Sequence, residues 1–207
     1  MIDFADPRYF ERIDESADTD FYRMPRLVIH VDEHASAVLA NWLGATLPAG
    51  GDILDLMSAW RSHLPADTRY HSVVGLGMNI VELTQNPALS SAVIQDLNAL
   101  PSLPFRNASF DACLISFSLQ YLTQPVAIVA EIARVLKPGS RLHVAFTNRL
   151  FPTKAVAIWQ ACSDAERAQL VAAYAQAAGG FTDVVAERLV DPASGYDPLY
   201  VVSATGA

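Results

Sequence analysis

The 207-residue sequence has few cysteines, few charged side chains and no long apolar run. Its two cysteines, Cys113 and Cys162, do not make a disulfide framework, so we expect two reduced thiols in a cytoplasmic protein. No apolar stretch reaches the roughly 18 residues that a membrane span requires. The first residues lack the basic and apolar regions of a secretory signal, so no export is expected.

Basic residues are also scarce. Lys and Arg number 14 against 22 Asp and Glu, which gives a formal net charge of −8. Nucleic-acid-binding proteins cluster Lys and Arg against the phosphate backbone, and anionic membranes repel an acidic protein. We therefore expect no nucleic-acid or membrane partner.

Hydrophobic residues make up 52% of the chain, which predicts a globular fold of ordinary single-domain size. Residues 1–23 are acidic and aromatic without a helical stripe, and we predict a loosely structured arm. The first firm helix is predicted over residues 32–47, with Asp32 as its N-cap. The arm and this helix, residues 1–47, are predicted to pack as a lid on an α/β domain of residues 48–207. Simple packing of an N-terminal extension is the alternative.

Strands and helices alternate after Pro48. Strands are predicted at residues 53–56, 71–76, 92–94, 112–117, 142–146, 182–189 and 199–203. Helices are predicted at residues 58–64, 80–83, 125–136, 152–161 and 164–178. This order predicts a doubly wound, mostly parallel seven-stranded sheet whose last two strands are antiparallel neighbours.

Two stretches carry a family resemblance. Residues 103–111, LPFRNASFD, and residues 131–140, EIARVLKPGS, resemble motifs of class I S-adenosylmethionine (SAM)-dependent methyltransferases of the methyltransferase type 11 kind. The resemblance implies a Rossmann-like fold, SAM as cofactor and methyl transfer. From residue 21 onward, stretches such as DLMSAW, GLGMN and YLTQP resemble an uncharacterised branch of this family that lacks the glycine-rich SAM turn.

The resemblance also implies which residues face the cofactor. Asp55 matches the acidic residue that ends the first strand, but the glycine positions of the next turn hold Met57, Ala59 and Arg61. Gly77 stands where the family has the carboxylate that grips the ribose, and Glu82 is a candidate replacement. Asp96 matches the acidic residue near the adenine. The implied cofactor contacts are Asp55, Met57, Ser58, Ala59, Gly77, Met78, Asp96, Leu97 and Ser116.

Catalytic residues are less clearly indicated. His63, His30 and Tyr121 are the candidates for orienting or deprotonating an acceptor, although His63 and Trp60 are equally consistent with packing or surface positions. Residues 30–34, HVDEH, match a zinc-protease pattern, but Asp32 as an N-cap leaves His30 outside the helix, so no metal is predicted. Arg149 and Lys154 either bind an anionic group or form surface ion pairs.

The function predicted from the sequence is methyl transfer from SAM to a small molecule. The alternative is a catalytically inactive binding or regulatory protein with a methyltransferase fold, and a third possibility is an assembly role through the acidic arm. The first hypothesis requires open space between Asp55 and Asp96. Met57 and Trp60, the largest residues at the altered turn, contradict it if they fill that space.

Overall fold

The computed structural model describes residues 2–207 and contains one seven-stranded sheet. The strand order is β3-β2-β1-β4-β5-β7-β6. The first five strands pair in parallel, and β7 is antiparallel to both β5 and β6. The strands are β1 (Asp52–Leu56), β2 (Ser72–Gly77), β3 (Ser91–Ile94), β4 (Phe110–Ser116), β5 (Leu136–Phe146), β6 (Phe181–Val190) and β7 (Leu199–Gly206). The predicted doubly wound sheet is confirmed.

The helices begin and end largely at the capping residues that the sequence indicates. The Asp32 side chain accepts a hydrogen bond from the backbone N–H of Ala35 at 2.8 Å, and Ser163 and Glu166 form a capping box. Gly179 ends the last helix with φ +70°. The helices are α1 (Asp18–Phe21), α2 (Glu33–Thr46), α3 (Ile80–Thr84), α4 (Pro125–Val135), α5 (Ala157–Ala161) and α6 (Asp164–Ala178). Within residues 2–207, none combines the length and apolar character that crossing a bilayer requires.

Two hydrophobic cores lie on opposite faces of the sheet. Ile53 of β1 packs in the core that α2 covers, whereas Leu54 and Leu56 pack in the core that α4 and α6 cover. Because side chains alternate along a strand, Asp55 points to the same face as Ile53. Its carboxylate is therefore directed toward the face that α2 and the β1–β2 connection cover.

The connection between β1 and β2 contains no helix, so the helix predicted at residues 58–64 is wrong. Met57 and His63 have φ values of +57° and +55°, outside the helical region. The backbone N–H of Ser58 donates to the carbonyl of Leu76 at 2.8 Å, so the chain runs alongside β2 instead of coiling. A helix of seven residues is marginal by itself, and these tertiary contacts override its local propensity.

The N-terminal arm is ordered against the domain, which corrects the prediction of a loose lead-in. It contains a 3₁₀ turn at Pro7–Phe10 and the short helix α1. The backbone N–H of Asp14 donates to the carbonyl of Thr153 at 2.8 Å, and that of Ala157 donates to the carbonyl of Glu11 at 2.9 Å. These bonds fix the arm beside α5, close to the carboxyl edge of the sheet.

Candidate functional site

A cavity of about 350 Å³ opens at the carboxyl edge of the sheet, where the first four strands end. Doubly wound folds bind ligands at this edge, and the volume falls within the range of roughly 300–1,000 Å³ found for small-molecule sites. Eight of the nine predicted cofactor contacts line it: Met57, Ser58, Ala59, Gly77, Met78, Asp96, Leu97 and Ser116. Asp55 is the exception.

The altered turn leaves this cavity open. Met57 is only partly buried and packs against the core beneath α4 and α6, while one side of it faces the cavity. Trp60 does not line the cavity; its ring lies 4.5 Å from the guanidinium carbon of Arg61. The side chains that border the cavity after β1 are therefore Met57 and the small residues Ser58 and Ala59.

Gly77 is required by the turn itself. A Cβ atom built on Gly77 would lie 2.2 Å from the carbonyl oxygen of Ser58 and 3.2 Å from Leu83 Cδ2. Because the nearer obstacle is backbone, it cannot move aside as a flexible side chain would. The turn after β1 therefore leaves no room for any side chain at position 77, including an acidic one.

Asp55 lies beneath the turn and is only 2% exposed. The hydroxyls of Ser58 and Ser62 each donate to Asp55 Oδ2 at 2.6 Å, and Asn86 Nδ2 donates to Ser62 Oγ at 2.9 Å. The carboxylate and both hydroxyls are therefore engaged with each other. In this arrangement Asp55 supports the turn from below, and Ser58 keeps its hydroxyl for Asp55.

Burial raises the pKa of Asp55 to about 6 from its ordinary 3.8, although the bonds from Ser58 and Ser62 lower it. An acid whose pKa is raised by folding stabilises the folded state in its protonated form, and this advantage is lost as the pH rises through about 6. An asparagine at this position would stay neutral, and its side-chain carbonyl could accept both serine hydroxyls. We expect Asp55→Asn to gain roughly 2–3 kcal/mol of stability relative to wild type between pH 4 and pH 7.

Denaturant melts at several pH values measure this difference. Burial lowers the pKa values of His63 and His143 to about 4. Wild type and Asp55→Asn both contain these histidines, so both lose the same amount of stability from them as the pH falls. The difference between the two proteins therefore isolates Asp55. A difference that stays constant from pH 4 to pH 7 would contradict the buried carboxyl described above.

Two carboxylates, Asp96 and Glu82, line the cavity on the side of strands β2 and β3. Asp96 Oδ1 accepts the backbone N–H groups of Asn98 and Ala99 at 2.9 and 3.3 Å, which holds the turn after β3. Glu82 is only 8% exposed, and its Oε1 accepts the backbone N–H of Arg26 at 2.6 Å. Burial raises the pKa of Glu82. One carboxylate thus lies at the end of β3 and the other near the end of β2.

A covering segment, residues 18–30, closes the opposite side of the cavity. Asp18, Tyr22, Arg26, Ile29 and His30 of this segment line the cavity. Asn79 Nδ2 donates to the backbone carbonyls of Tyr22 and Arg23 at 2.9 and 3.1 Å. The segment is therefore attached to the N-terminus of α3 as well as to the region around α5.

A buried ion cluster fixes one end of the covering segment. Asp18 is 5% exposed, and each of its carboxylate oxygens accepts from Arg12 Nη1 at 2.8 Å. Its carboxylate also lies 3.1 Å from Lys154 Nζ. Asn98 Nδ2 also donates to Asp18 at 2.8 Å. Burial alone would raise the pKa of Asp18, but the bonds from Asn98, Arg12 and Lys154 lower it. Lys154 is fully buried, so the expected surface ion pair is instead an internal one.

The three catalytic candidates lie in different places. His30 and Tyr121 line the cavity, whereas His63 lines a second cavity of about 710 Å³ beside the β1–β2 connection. His63 Nδ1 is 2.9 Å from Ser36 Oγ. The pKa of His30 is lowered by burial and by Arg26, which keeps its ring neutral at pH 7. Tyr121 Oη accepts the backbone N–H of Phe151 at 2.9 Å, and burial raises its pKa.

Sequence reasoning missed the cavity role of Arg26 and the partners of Lys154. Each side chain contacts residues more than 120 positions away along the chain. Arg26 packs on Phe151, and Lys154 pairs with Asp14 and Asp18 of the N-terminal region. Arg149, in contrast, forms the expected surface ion pair, 2.7 Å from Asp197. Within residues 2–207 no group of three potential metal ligands is brought together, and His34 instead stacks on Tyr196 at 4.0 Å.

Comparison with known proteins finds similarity to methyltransferases. The family model described as a methyltransferase domain (Methyltransf_11) matches residues 65–144. A demethylmenaquinone methyltransferase of Corynebacterium kroppenstedtii is 32% identical over 104 residues, which cover 42% of this chain and 45% of that protein. One from Mycobacterium sp. (strain KMS) is 49% identical over 55 residues, which cover 25% of this chain and 24% of that protein. The chain thus spans less than half the length of these curated relatives.

Solved structures share the fold at low sequence identity. Phosphoethanolamine N-methyltransferase 2 of Haemonchus contortus, solved with SAM, superposes with a TM-score of 0.60 at 12% identity, covering 84% of this chain and 52% of that one. The [4+2]-cyclase SpnF superposes with a TM-score of 0.60 at 18% identity, covering 81% and 80% of the two chains. These likenesses concern the fold.

Proposed function

We propose that the chain is a class I SAM-dependent methyltransferase and that it transfers a methyl group from SAM to a small molecule in the 350 Å³ cavity. The observation that carries the proposal is the open space between the turn after β1 and Asp96. Met57 and Trp60 leave that space free, and eight residues predicted to contact the cofactor border it.

The residues at the cavity wall fit an adenosyl cofactor. Ser58, Ala59 and Gly77 present a wall of small residues, and Leu97 supplies an apolar surface at the end of β3. Asp96 would accept from the amino group of an adenine. Glu82 would take the role of the missing acid at position 77 and accept from ribose hydroxyls, because its buried carboxyl borders the cavity close to Gly77.

SAM supplies an activated methyl group on a sulfonium. The contribution of the chain is to orient the acceptor and exclude water, since such displacements depend mainly on alignment. The covering segment closes one side of the cavity and would shield a bound acceptor from water. Under this proposal His30, whose lowered pKa favours the neutral ring, would take a proton from an acceptor, and Tyr121 would donate a hydrogen bond to one, since both line the cavity.

Calorimetric titration with SAM and S-adenosylhomocysteine tests this proposal. We expect dissociation constants in the micromolar range, on the order of −8 kcal/mol in binding free energy. Binding no tighter than millimolar would contradict the proposal and favour a binding or regulatory protein that holds another ligand.

The variant Asp96→Asn locates the adenine end. The amide retains an oxygen for the N–H groups of Asn98 and Ala99 but loses the charged acceptor. We expect S-adenosylhomocysteine to bind about 10-fold more weakly, since a charge-assisted hydrogen bond is worth roughly 1.5–3 kcal/mol. Asp67→Asn, at an exposed position outside both cavities, is the control. Unchanged affinity in Asp96→Asn would contradict the placement of the adenine.

A second candidate function keeps the fold without the methyl transfer. Its support is the altered turn after β1, where Asp55 is buried beneath the turn and does not line the cavity. Under this alternative the cavity holds an acceptor-like molecule, and no methylated product forms. Mass spectrometry of reactions supplied with methyl-labelled SAM separates the two, because only the first transfers label.

A further inference from the structure

Arg26 of the covering segment lies inside an aromatic cluster at the cavity. Its guanidinium carbon is 4.5 Å from the ring centroid of Phe21, 5.6 Å from that of Tyr22 and 5.3 Å from that of Phe151. Tyr121 stacks on Phe151 at 5.8 Å and extends the cluster. The guanidinium therefore lies between aromatic faces at the edge of the ligand space.

The hydrogen bonding of Arg26 is incomplete. Its Nη2 donates to the backbone carbonyl of Phe21 at 3.0 Å, but Nη1 is buried and donates to no acceptor within residues 2–207. No carboxylate of that part of the chain forms an ion pair with this guanidinium. Glu82 binds the backbone N–H of Arg26 instead of its side chain.

Arg26 differs from the two cations of the buried ion cluster because it has no carboxylate partner, although Arg12 Nε, like Arg26 Nη1, donates to no acceptor within residues 2–207. Arg12 and Lys154 both contact Asp18, as buried charges generally require. Buried donors in folded proteins nearly always have a partner, and one that lacks it points to an acceptor absent from the chain. Since Arg26 lines the cavity, that acceptor belongs to the ligand.

We propose that Arg26 is an anion-binding residue and that the ligand in the cavity presents a carboxylate to Nη1. The proposal rests on the function proposed above, because it concerns the same cavity. A planar guanidinium with free N–H groups matches a carboxylate, and the aromatic rings around it favour a planar, aromatic neighbour of that group. The turn after β1 offers no competing anion site, because it starts no helix and the Ser58 hydroxyl is bonded to Asp55.

The carboxylate has two chemical sources. One is the amino-acid portion of the adenosyl cofactor, and the other is an aromatic acid that serves as acceptor. Two pairs of probes distinguish them. S-adenosylhomocysteine and 5′-methylthioadenosine share the adenosyl part, but only the first has a carboxylate. Benzoate and benzamide have the same shape, but only the first is an anion.

Calorimetry or thermal-shift titration of wild type, Arg26→Gln and Arg26→Lys with these four probes tests the proposal. The control is Arg23→Gln, which removes an exposed arginine of the same segment that lies outside the cavity. We expect Arg26→Gln to weaken one carboxylate probe by about 10- to 100-fold while its neutral counterpart changes less than about threefold. Arg26→Lys keeps the positive charge but loses the paired N–H donors of the guanidinium, so its affinity for that probe should lie between those of wild type and Arg26→Gln.

The pattern of losses identifies the source. A loss confined to S-adenosylhomocysteine assigns the site to the cofactor, and a loss confined to benzoate assigns it to the acceptor. Equal effects on both members of each pair, or no effect of Arg26→Gln, would overturn the anion-binding role. Benzoate binding that depends on Arg26, in a protein that binds neither adenosyl probe, would support Arg26 while contradicting the proposed methyl transfer. Failure of wild type to bind any carboxylate probe would overturn both.

Discussion

Replacing Gly77 with aspartate, which adds a carboxylate of the kind that the family resemblance implies there, is expected to lower the unfolding free energy by about 3 kcal/mol or more. The new Cβ would lie 2.2 Å from the Ser58 carbonyl oxygen, so the turn after β1 or the end of β2 must shift. The added carboxylate would also lose water at a buried position. An acidic side chain at position 77 is therefore incompatible with the turn that this chain forms after β1.

Gly75→Ala on the same strand is the matched control. Its Cβ would meet Leu89 Cδ1 at 2.5 Å, but that atom ends a flexible side chain that can rotate. Denaturant melts should show a much smaller loss in Gly75→Ala than in Gly77→Ala or Gly77→Asp. Comparable losses in all three variants would show that the Ser58 carbonyl is not the obstacle.

Asp18→Asn is expected to destabilise the protein by about 3–5 kcal/mol, because it removes the charge that compensates Arg12 and Lys154. Lys154 would retain Asp14 at 3.4 Å and the carbonyl of Ser16 at 2.6 Å, but the only carboxylate left near Arg12 would be that of Glu15, at 3.6 Å. The covering segment should then open more often than the sheet unfolds. Denaturant melts together with hydrogen exchange of residues 11–30 measure both effects.

The control is Asp20→Asn, two residues along the same short helix, where the side chain is 69% exposed. Its ion pair with Arg23 is a surface contact and should contribute less than about 1 kcal/mol. If Asp18→Asn leaves both global stability and exchange of the covering segment at the level of Asp20→Asn, the buried cluster does not hold that segment.

The positions of the strands and of the main helices along the chain are predictable because their signals are local. Alternating apolar runs define the sheet, Asp32 and Ser163 mark helix starts, and Gly179 marks a helix end. The helix predicted at residues 58–64 is wrong because Ser58 and Ser62 of that segment form hydrogen bonds with Asp55, a residue of the preceding strand β1. The spacing of these two serines, three and seven residues after Asp55, is the one sequence signal that bears on the error.

The composition of the site is partly predictable for a different reason. Residues at the ends of β1 to β4 share one edge of a parallel sheet, so their assembly into a cavity follows from topology. The position of His63 outside the cavity and the position of Arg26 inside it depend on contacts between segments far apart along the chain. No local pattern specifies such contacts.

The central claim is that the carboxyl edge of this sheet holds an adenosyl cofactor although its turn has no glycine. A crystal structure grown with saturating S-adenosylhomocysteine tests it most directly. We predict density for the adenosyl group in the 350 Å³ cavity, between Ala59 and Asp96. Density at the second cavity beside His63, or none in a crystal whose first cavity is open to solvent, would contradict the claim.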